Sequence, residues 1–599
     1  MTHPVTPITT AAPLTHAAQL THATQLTHAA QRTHAPRPPR PCCSRSFAAA
    51  LATVAVSLSL AAATPAATDN TNQTQTLSPV VPVGAPFRLR VEELAWSGDP
   101  LPALHSAASA RHGDRLLFTG GKTTGLHGFH CDPAANFPTA DFHRSITVID
   151  LASGAVFQRS IDEPASGLSP SQRAALASTN QLSLQDGGTL LAVGGYGIAH
   201  GGDYTTFRSL RLFDVAGTIA WAMGDATLLS DHLRFLDPPA NAPEALRETF
   251  FTLTGGVMVK VGEEYWMCLG QNFQGGYTDG PHCAQKWVQV YSQQIRRFAI
   301  DLAAKDPQPL FTGASAQPEW ARRRDLNVFP ARVPGGEGAV ALSGVFTPGN
   351  KPGIWTVPIV VGPDGEMSMP DPADPATLRQ GLNIYDAARL SMWSAERGEN
   401  WLVVLGGLGY QVVSGGAFVE DRTVPYSNEL FAVRYAPGAV PGGAAWSQHL
   451  LGASYPTILS PAHGVPFYFG TETDAFPLVD TDAHGMLDLD ALLASKSPVR
   501  LAVLYGGIVS EGQALSSGTP YPTSASNRLF EVCFEPGPGC PADLFGSGAV
   551  DGSDLGQLLS AWGPVPAGAI VRADLDGDGF VGAKDLAQLL AEWGPCPNP

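Results

Sequence analysis

An apolar run that ends on a pair of small residues recurs six times in this chain, and no other feature limits its fold so tightly. The instances are RLLFTGG ending at Gly121, LLAVGGYG with Gly194 and Gly195, YWMCLGQ with Gly270, AVALSGV with Gly344, WLVVLGGLG with Gly406 and Gly407, and LAVLYGG with Gly506 and Gly507. They recur at intervals of roughly 60 to 100 residues, too long for a bare solenoid but suited to four-stranded sheets with long loops. Glycine is useful at the end of such a run because backbones can crowd there and the chain can turn with positive φ.

Each pair is followed by a second alternating strand: SITVIDL, SLRLFDV, QIRRFAID, GIWTVPIV, NELFAVRY and NRLFEVCF. A preceding strand is legible in most units, as in STNQLSLQDGG and AARLSMWSAERG, and Trp221 and Trp446 hint at a fourth, outer one. The last unit has three evident strands. PFRLRVEELAW, ending at Trp96, would supply its outer strand and join the two ends of the domain, leaving no free sheet edge. The 64 glycines and 51 prolines also favour many short strands over long helices. The expected fold is mainly β, with six repeated sheets preferred and seven as the alternative. This pattern resembles the kelch-repeat β-propeller, whose blades carry a Gly-Gly doublet at the end of the second strand and aromatic residues further on. The resemblance covers most of residues 86–534, with two departures, Leu269-Gly270 and Ser343-Gly344. It implies a kelch-like β-propeller over residues 86–536.

Alternating strand directions place the loops after all six pairs on one face, where function on such scaffolds concentrates. Those loops carry His127 and His130, then His200, Asp203 and Tyr204, then Gln271, Asn272, Tyr277, His282 and Trp287, then Tyr410, Tyr426 and Tyr521. Aromatic faces beside amide and carboxylate groups suit a sugar ring or a protein epitope, because they combine stacking with directional hydrogen bonds. The competing reading is that these residues pack long loops onto the ring. Kelch-like rings include copper-radical oxidases, and Cys131 beside His127 and His130 is compatible with such a centre, though no spacing is diagnostic. No GxSxG, HExxH or phosphate loop is present. Binding needs only aromatics and amides, whereas catalysis requires titratable side chains that converge.

The C-terminal stretch ADLDGDGFVGAKDLAQLLAEWGPC places carboxylates at alternate positions, which repel unless a cation sits among them. A twelve-residue calcium loop takes ligands from positions 1, 3, 5, 7, 9 and 12 with glycine at 6. Counting from Asp574 gives Asp576, Asp578, Gly579, Phe580 through its carbonyl, a water at Gly582, and Asp585 at 12. The same frame aligns 31 residues earlier on Asp543, with Ser547, Gly548, Asp551 and Asp554, but Phe545 occupies position 3 and should weaken that loop. The following helices, SDLGQLLSAWG and KDLAQLLAEWG, place leucines at helical spacing and end in Trp562 and Trp593, so the halves can pack together. This tandem resembles a type I dockerin over about residues 540–597. The resemblance implies a Ca²⁺-folded module that docks on a cohesin-like partner or tethers its owner to an extracellular, often polysaccharide-related, assembly. A third acidic stretch from Asp480 imitates the loop but has Ala491 at position 12, and reads as a surface insertion.

The N-terminus supplies a compartment. Arg37, Arg40 and Arg45 precede the apolar run FAAALATVAVSLSLAAA and a small-residue zone, the order of a secretory signal cleaved between Ala63 and Ala67. Residues 1–67 therefore read as leader and signal, 68–85 as linker, and no membrane span is expected in the mature chain. His16, His22, His28 and His34 fall in a six-residue repeat upstream and are expected to be lost on processing. A net charge of -17 argues against nucleic acid as a partner. Export leaves six cysteines; Cys540 and Cys596 bracket the acidic tail and are expected to pair, with Cys268 and Cys283 as a second pair. The expected function is a secreted binding or adhesion protein for a glycan or protein. The alternative is a propeller enzyme, a glycan hydrolase, lyase or oxidase, carried to its substrate by the same tail.

Overall fold

The computed structural model describes residues 85–278, 283–284, 287–349, 353–375, 377–414, 417–438, 445–495, 497–513, 522–536, 542–544, 549–565, 573–575 and 580–596. The leader, its histidine repeat and the signal-like run lie outside these residues, as do His282, Tyr521, Cys540, Ser547, Asp576 and Asp578.

The chain between Phe87 and Pro536 is mainly β and builds six large sheets, five of them four-stranded and antiparallel and the other with four antiparallel strands and a short parallel fifth. Sheet I comprises Ala108–His112, Arg115–Thr119, Ser145–Asp150 and Val156–Ser160; sheet II comprises Leu182–Asp186, Thr189–Val193, Leu210–Asp214 and Leu233–Leu236. Sheet III comprises Val257–Val261, Glu264–Cys268, Ile295–Ala299 and Leu310–Ala314; sheet IV comprises Asn327–Val333, Gly336–Leu342, Ile359–Val361 and Met367–Ser368. Sheet V comprises Ala388–Ser394, Glu399–Leu408, Tyr426–Tyr435 and Trp446–Ser454. Sheet VI takes Asp474–Pro477, Val499–Tyr505 and Leu529–Pro536 from one end of the domain and Phe87–Glu93 from the other. That N-terminal strand is the outer strand anticipated from the sequence. It pairs antiparallel from Phe87 opposite Pro536 to Glu93 opposite Phe530, and the Phe87 ring packs against Phe534 and Trp401 at 5.3 and 5.4 Å.

The first strand of each sheet touches the first strand of the next, and that of sheet VI touches that of sheet I, so the six sheets close in a cycle. One apolar core lies between each successive pair of sheets. This explains why the second strands read as continuous apolar runs rather than alternating ones: Leu190, Leu191, Ala192 and Val193 are all buried because both faces of the strand are covered.

The small-residue pairs are left-handed in every sheet. Gly120 and Gly121, Gly194 and Gly195, Gly406 and Gly407, and Gly506 and Gly507 all have positive φ, and so do Leu269-Gly270 and Ser343-Gly344, so both departures keep the backbone of the motif. At Gly194 the reason for glycine is a close approach: a Cβ there would sit 1.9 Å from the Leu253 carbonyl oxygen, just before sheet III. The second member of the pair donates across the same gap, from Gly195 N–H to Leu253 O at 2.8 Å, and likewise from Gly121 to Ser178 O and from Gly507 to Leu104 O.

Two expectations are corrected. Trp221 is not on an outer strand: it is buried on a helix, Val215–Ala222, that follows the third strand of sheet II and covers the core between sheets I and II. Trp446 does open the outer strand of sheet V. Cys268 does not pair with Cys283. It ends the second strand of sheet III with its thiol buried in the core against sheet IV, and is free, while Cys283 bonds to Cys131. Cys533 and Cys596 are also disulfide-bonded. In the stretch from Asp480, the Asp482 carboxylate accepts from the backbone N–H of His484 and Met486 and pairs with Arg332 at 3.1 Å. A short strand, Leu487–Asp488, then adds in parallel to sheet V and leads into the helix Leu489–Leu493.

The tail repeats its own architecture. Helices Gly552–Ser560 and Ala583–Ala591 pack together. Short strands exchange between the halves, Ala549–Val550 with Gly594–Pro595 and Gly563–Pro564 with Phe580–Val581. Equivalent residues share the core, Val550 with Val581 and Leu558 with Leu589. The terminal tryptophans do not join it: Trp562 and Trp593 are 45% and 48% exposed, beside exposed Leu559 and Leu590.

Candidate functional site

Two rings of residues, each with one member per sheet, shape the axis of the cycle. Just before each first strand stands a left-handed residue: Ser106, Asn180, Gly255, Asp325, Asp386 and Glu472, with φ between 44° and 63°. Their backbones bond around the ring, from Asn180 N–H to Ser106 O, Gly255 to Asn180, Asp325 to Gly255 and Glu472 to Asp386, at 2.6 to 3.3 Å. Asn, Asp and Gly tolerate this conformation, but Ser106 and Glu472 adopt it at a cost of about 1–2 kcal/mol each. The strain lies where the carboxylate of Glu472 is presented inward.

Immediately before each of these residues, His105, Thr179, Thr254, Arg324, Tyr385 and Thr471 bridge to the residue that follows the small-residue pair: Lys122, Tyr196, Gln271, Val345, Leu408 and Ile508. All twelve line one cavity of about 260 Å³. The left-handed ring forms its waist. Below it a second cavity of about 120 Å³ touches all six ring residues and continues to Ser183, Arg389 and Asp474.

The upper cavity has a polar floor and an aromatic wall. Glu472 accepts from Ser106 Oγ and bonds His105 Nδ1 at 2.5 Å. Burial pushes the Glu472 carboxyl up, but His105, with Lys122 beyond it, outweighs that effect and holds it below its usual range. Asp386 goes the other way: burial, reinforced by Glu472 and Asp325, raises its carboxyl well above its ordinary value and favours its protonated form, and it is hydrogen-bonded to Glu472. Asp325 is also raised by burial, against the pull of the Arg324 guanidinium with which it pairs. Arg324 is further bonded to the Tyr291 hydroxyl at 3.3 Å. His105 Nε2 and Thr471 Oγ1 are buried without a hydrogen-bond partner among the described residues.

The wall is set by two segments. The loop after Lys122 contributes His127, Phe129 and Phe137, and the hairpin Gln271–Gly275 with Trp287–Tyr291 contributes Phe273, continuing to Tyr277. His127 lies 4.6 Å from the Tyr277 ring and 5.2 Å from Phe137, and burial lowers its imidazole to about 4, so it is neutral at physiological pH. The Cys131–Cys283 disulfide ties the two segments together. Buried Asn136 also joins them, donating to Tyr277 O at 2.9 Å and His130 O at 2.8 Å. A cysteine held in that bond is not a thiolate, so Cys131 cannot serve the copper centre considered from the sequence.

Of the loop residues singled out by sequence, His127, Gln271 and Tyr277 reach the cavity. The others do not. Tyr204 stacks on Tyr196 and donates to Phe137 O at 2.8 Å, and Trp287 stacks on Phe273 at 5.1 Å, so both support the wall from behind. Asn272 bonds Gln274 within its hairpin, His130 is held by Asn136, Tyr410 is tied by its N–H to Asn383, and His200 and Asp203 are exposed. Sequence reasoning missed His105, Lys122, Arg324, Asp325, Asp386 and Glu472. A signal existed for the ring in the first three sheets, where the left-handed residue stands 14 positions before the first residue of the small pair: Ser106 and Gly120, Asn180 and Gly194, Gly255 and Leu269.

In the tail, Asp554 and Asp585, the twelfth residues of the two loops, are fully buried and accept backbone N–H bonds, from Asp551 at 2.8 Å and from Leu575 and Gly582 at 2.7 Å. Asp543 is also buried. An all-oxygen donor set with its last carboxylate drawn inside suits a hard cation. Among the described residues no cluster of three or more His, Cys, Asp or Glu side chains has metal-site geometry.

No family model and no curated protein matches the chain. Among solved structures, one titled "Structure of YjhT" aligns over 72% of this chain and 99% of that chain, at 11% identity and a TM-score of 0.36, a likeness too distant to bear on this chain's activity.

Proposed function

We propose that the six-sheet cycle is a kelch-like β-propeller and that the protein is an exported saccharide-binding protein whose ligand sits in the axial cavity. The observation that carries this reading is the mixed lining of the cavity, the rings of Phe137, Phe273 and Tyr277 together with the polar groups of His105, Arg324 and Glu472. A pyranose has the matching pair of surfaces, an apolar face of C–H groups and an equator of hydroxyls. Screening the full chain on a glycan array tests it. Retention of a glycan class that is lost in Glu472→Gln supports the reading, and silence across the array overturns it.

A second reading, turnover of that saccharide, is favoured by the convergence of Asp386, Glu472 and His105. Two carboxyls whose pKa values are driven apart, Asp386 up and Glu472 down, with an imidazole bonded to the second, are equipped for proton transfer. Carboxyls in hydrogen-bond contact are closer than the ~5–9.5 Å at which glycosidase pairs flank a scissile bond. Proton shuttling on a bound sugar therefore fits this pair better than hydrolysis by it.

The tail reads as a dockerin-like module. Ca²⁺ would be held by Asp574, Asp576, Asp578, the Phe580 carbonyl and Asp585, and more weakly in the first loop by Asp543, Ser547, Asp551 and Asp554. The ion would supply the charge that lets the two halves close. The repeated exposed pairs Leu559 with Trp562 and Leu590 with Trp593 offer apolar contacts to a cohesin-like partner or surface anchor.

A further inference from the structure

Lys122 is the cavity side chain whose charge has no anion in contact with it among the described residues. It is 2% exposed, directly follows the first glycine pair, and its ammonium makes no hydrogen bond or ion pair among the described residues. Its ammonium stands over the face of Phe137, 4.8 Å from the ring centre. Burial lowers its pKa, while Asp141 and Glu472 pull it back up from a distance. The other cation of the cavity is accounted for, since Arg324 has Asp325 beside it. Glu472 is already engaged by His105 Nδ1 and Ser106 Oγ, and burial pushes the Asp386 carboxyl toward its neutral form. An ammonium taken out of water with no anion next to it is among the least favourable arrangements in a protein, and a ligand that brings the anion relieves it. His105, bridged to Lys122 across the strands, adds a buried polar atom with no partner among the described residues, Nε2.

We infer that the saccharide bound in this cavity carries a fixed anionic group, a carboxylate or a sulfate ester, and that Lys122 is its charge partner with His105 Nε2 alongside. This deepens the saccharide reading and rests on it. A neutral hydroxyl could accept a hydrogen bond from Lys122 but could not compensate its charge, so the anion and not merely a polar group is required.

The test is calorimetric titration of the full chain with four probes: methyl glucoside, glucuronate, glucose 6-sulfate and inorganic sulfate. The expected result is that at least one anionic sugar binds about tenfold or more tighter than methyl glucoside, and that the ratio falls to near one in Lys122→Met. Lys122→Gln carries the same comparison should the methionine variant fail to fold. Equal affinity for neutral and anionic sugars, or a ratio that survives both substitutions, overturns the inference and leaves the saccharide reading standing. Inorganic sulfate binding as tightly as glucose 6-sulfate keeps the anion site at Lys122 but overturns the saccharide reading. Binding by none of the four overturns both.

Discussion

Replacing Gly194 by alanine should separate the cost of a left-handed backbone from the cost of a blocked approach between sheets. The control is Gly187→Ala, in the hairpin of the same sheet. Gly187 has a φ of 55° and nothing within 4 Å of the point where an alanine methyl would sit, so its substitution carries only backbone strain. That strain is about 1–2 kcal/mol, offset by the ~0.4–1 kcal/mol that alanine removes from unfolded-state entropy, for a net loss of about 1 kcal/mol. Gly194, at 63°, adds a Cβ 1.9 Å from the Leu253 carbonyl oxygen, which must retreat by more than an ångström. That oxygen accepts from Gly195 N–H at 2.8 Å, so the retreat breaks an inter-sheet hydrogen bond and overpacks the site. The sum is roughly 3–6 kcal/mol. Urea unfolding of the full chain, followed by tryptophan fluorescence, reads both variants. Destabilisation of the two within about 1 kcal/mol of each other would refute the claim that close approach, and not φ alone, fixes glycine there.

Asp474, in the lower cavity, should make stability pH-dependent. Burial raises its carboxyl from 3.8 to about 7, despite a 2.7 Å bond from Ser109 Oγ. The native state therefore binds the proton more tightly, and stability falls as pH rises from about 4 through 7, by at most about 4 kcal/mol. Asp474→Asn should raise the melting temperature at pH 8 and leave it unchanged near pH 4; an equal effect at both contradicts the assignment. Glu472→Gln should abolish ligand binding while moving the melting temperature little, since a neutral amide still accepts from Ser106; a variant that binds like the parent removes Glu472 from the site. Alanine at both Cys131 and Cys283 should weaken ligand affinity about tenfold or more by releasing the aromatic wall; unchanged affinity would show that Asn136 alone holds it. Chelation should lower the far-ultraviolet helical signal of the tail, and Asp585→Ala should do the same at saturating Ca²⁺; identical spectra with and without chelator contradict the calcium reading.

The parts of this molecule legible in its sequence are those where backbone geometry restricts residue type. The glycine pairs announced six sheets because a Cβ at Gly194 has nowhere to go, and the strand Phe87–Glu93 could be placed because the last unit lacked an edge. Leu269 and Ser343 looked like departures only because the rule concerns φ rather than glycine itself. Trp221 misled because a helix is inserted between the third strand of sheet II and its outer strand, Leu233–Leu236, and carries the indole into the core against sheet I. The cavity was harder. Its chemistry sits on the first strands' entry turns, where any of Ser, Asn, Gly, Asp or Glu serves the backbone, so residue type alone does not mark the position. The 14-residue offset that would have marked it holds in sheets I to III and is lost in the others, where longer hairpins and the helix Leu489–Leu493 intervene. The aromatic loop residues were visible, but only the fold separates Tyr277, which faces the cavity, from Tyr204, which braces it.

The axial cavity as the ligand site is tested most directly by a crystal structure of the full chain with a saccharide recovered from the array. The account predicts one sugar ring lying against Phe273 and Tyr277, with its polar groups on His105, Lys122 and Arg324. Density for the ligand over the outer loops at His200 and Asp203, with the cavity unchanged, would contradict it.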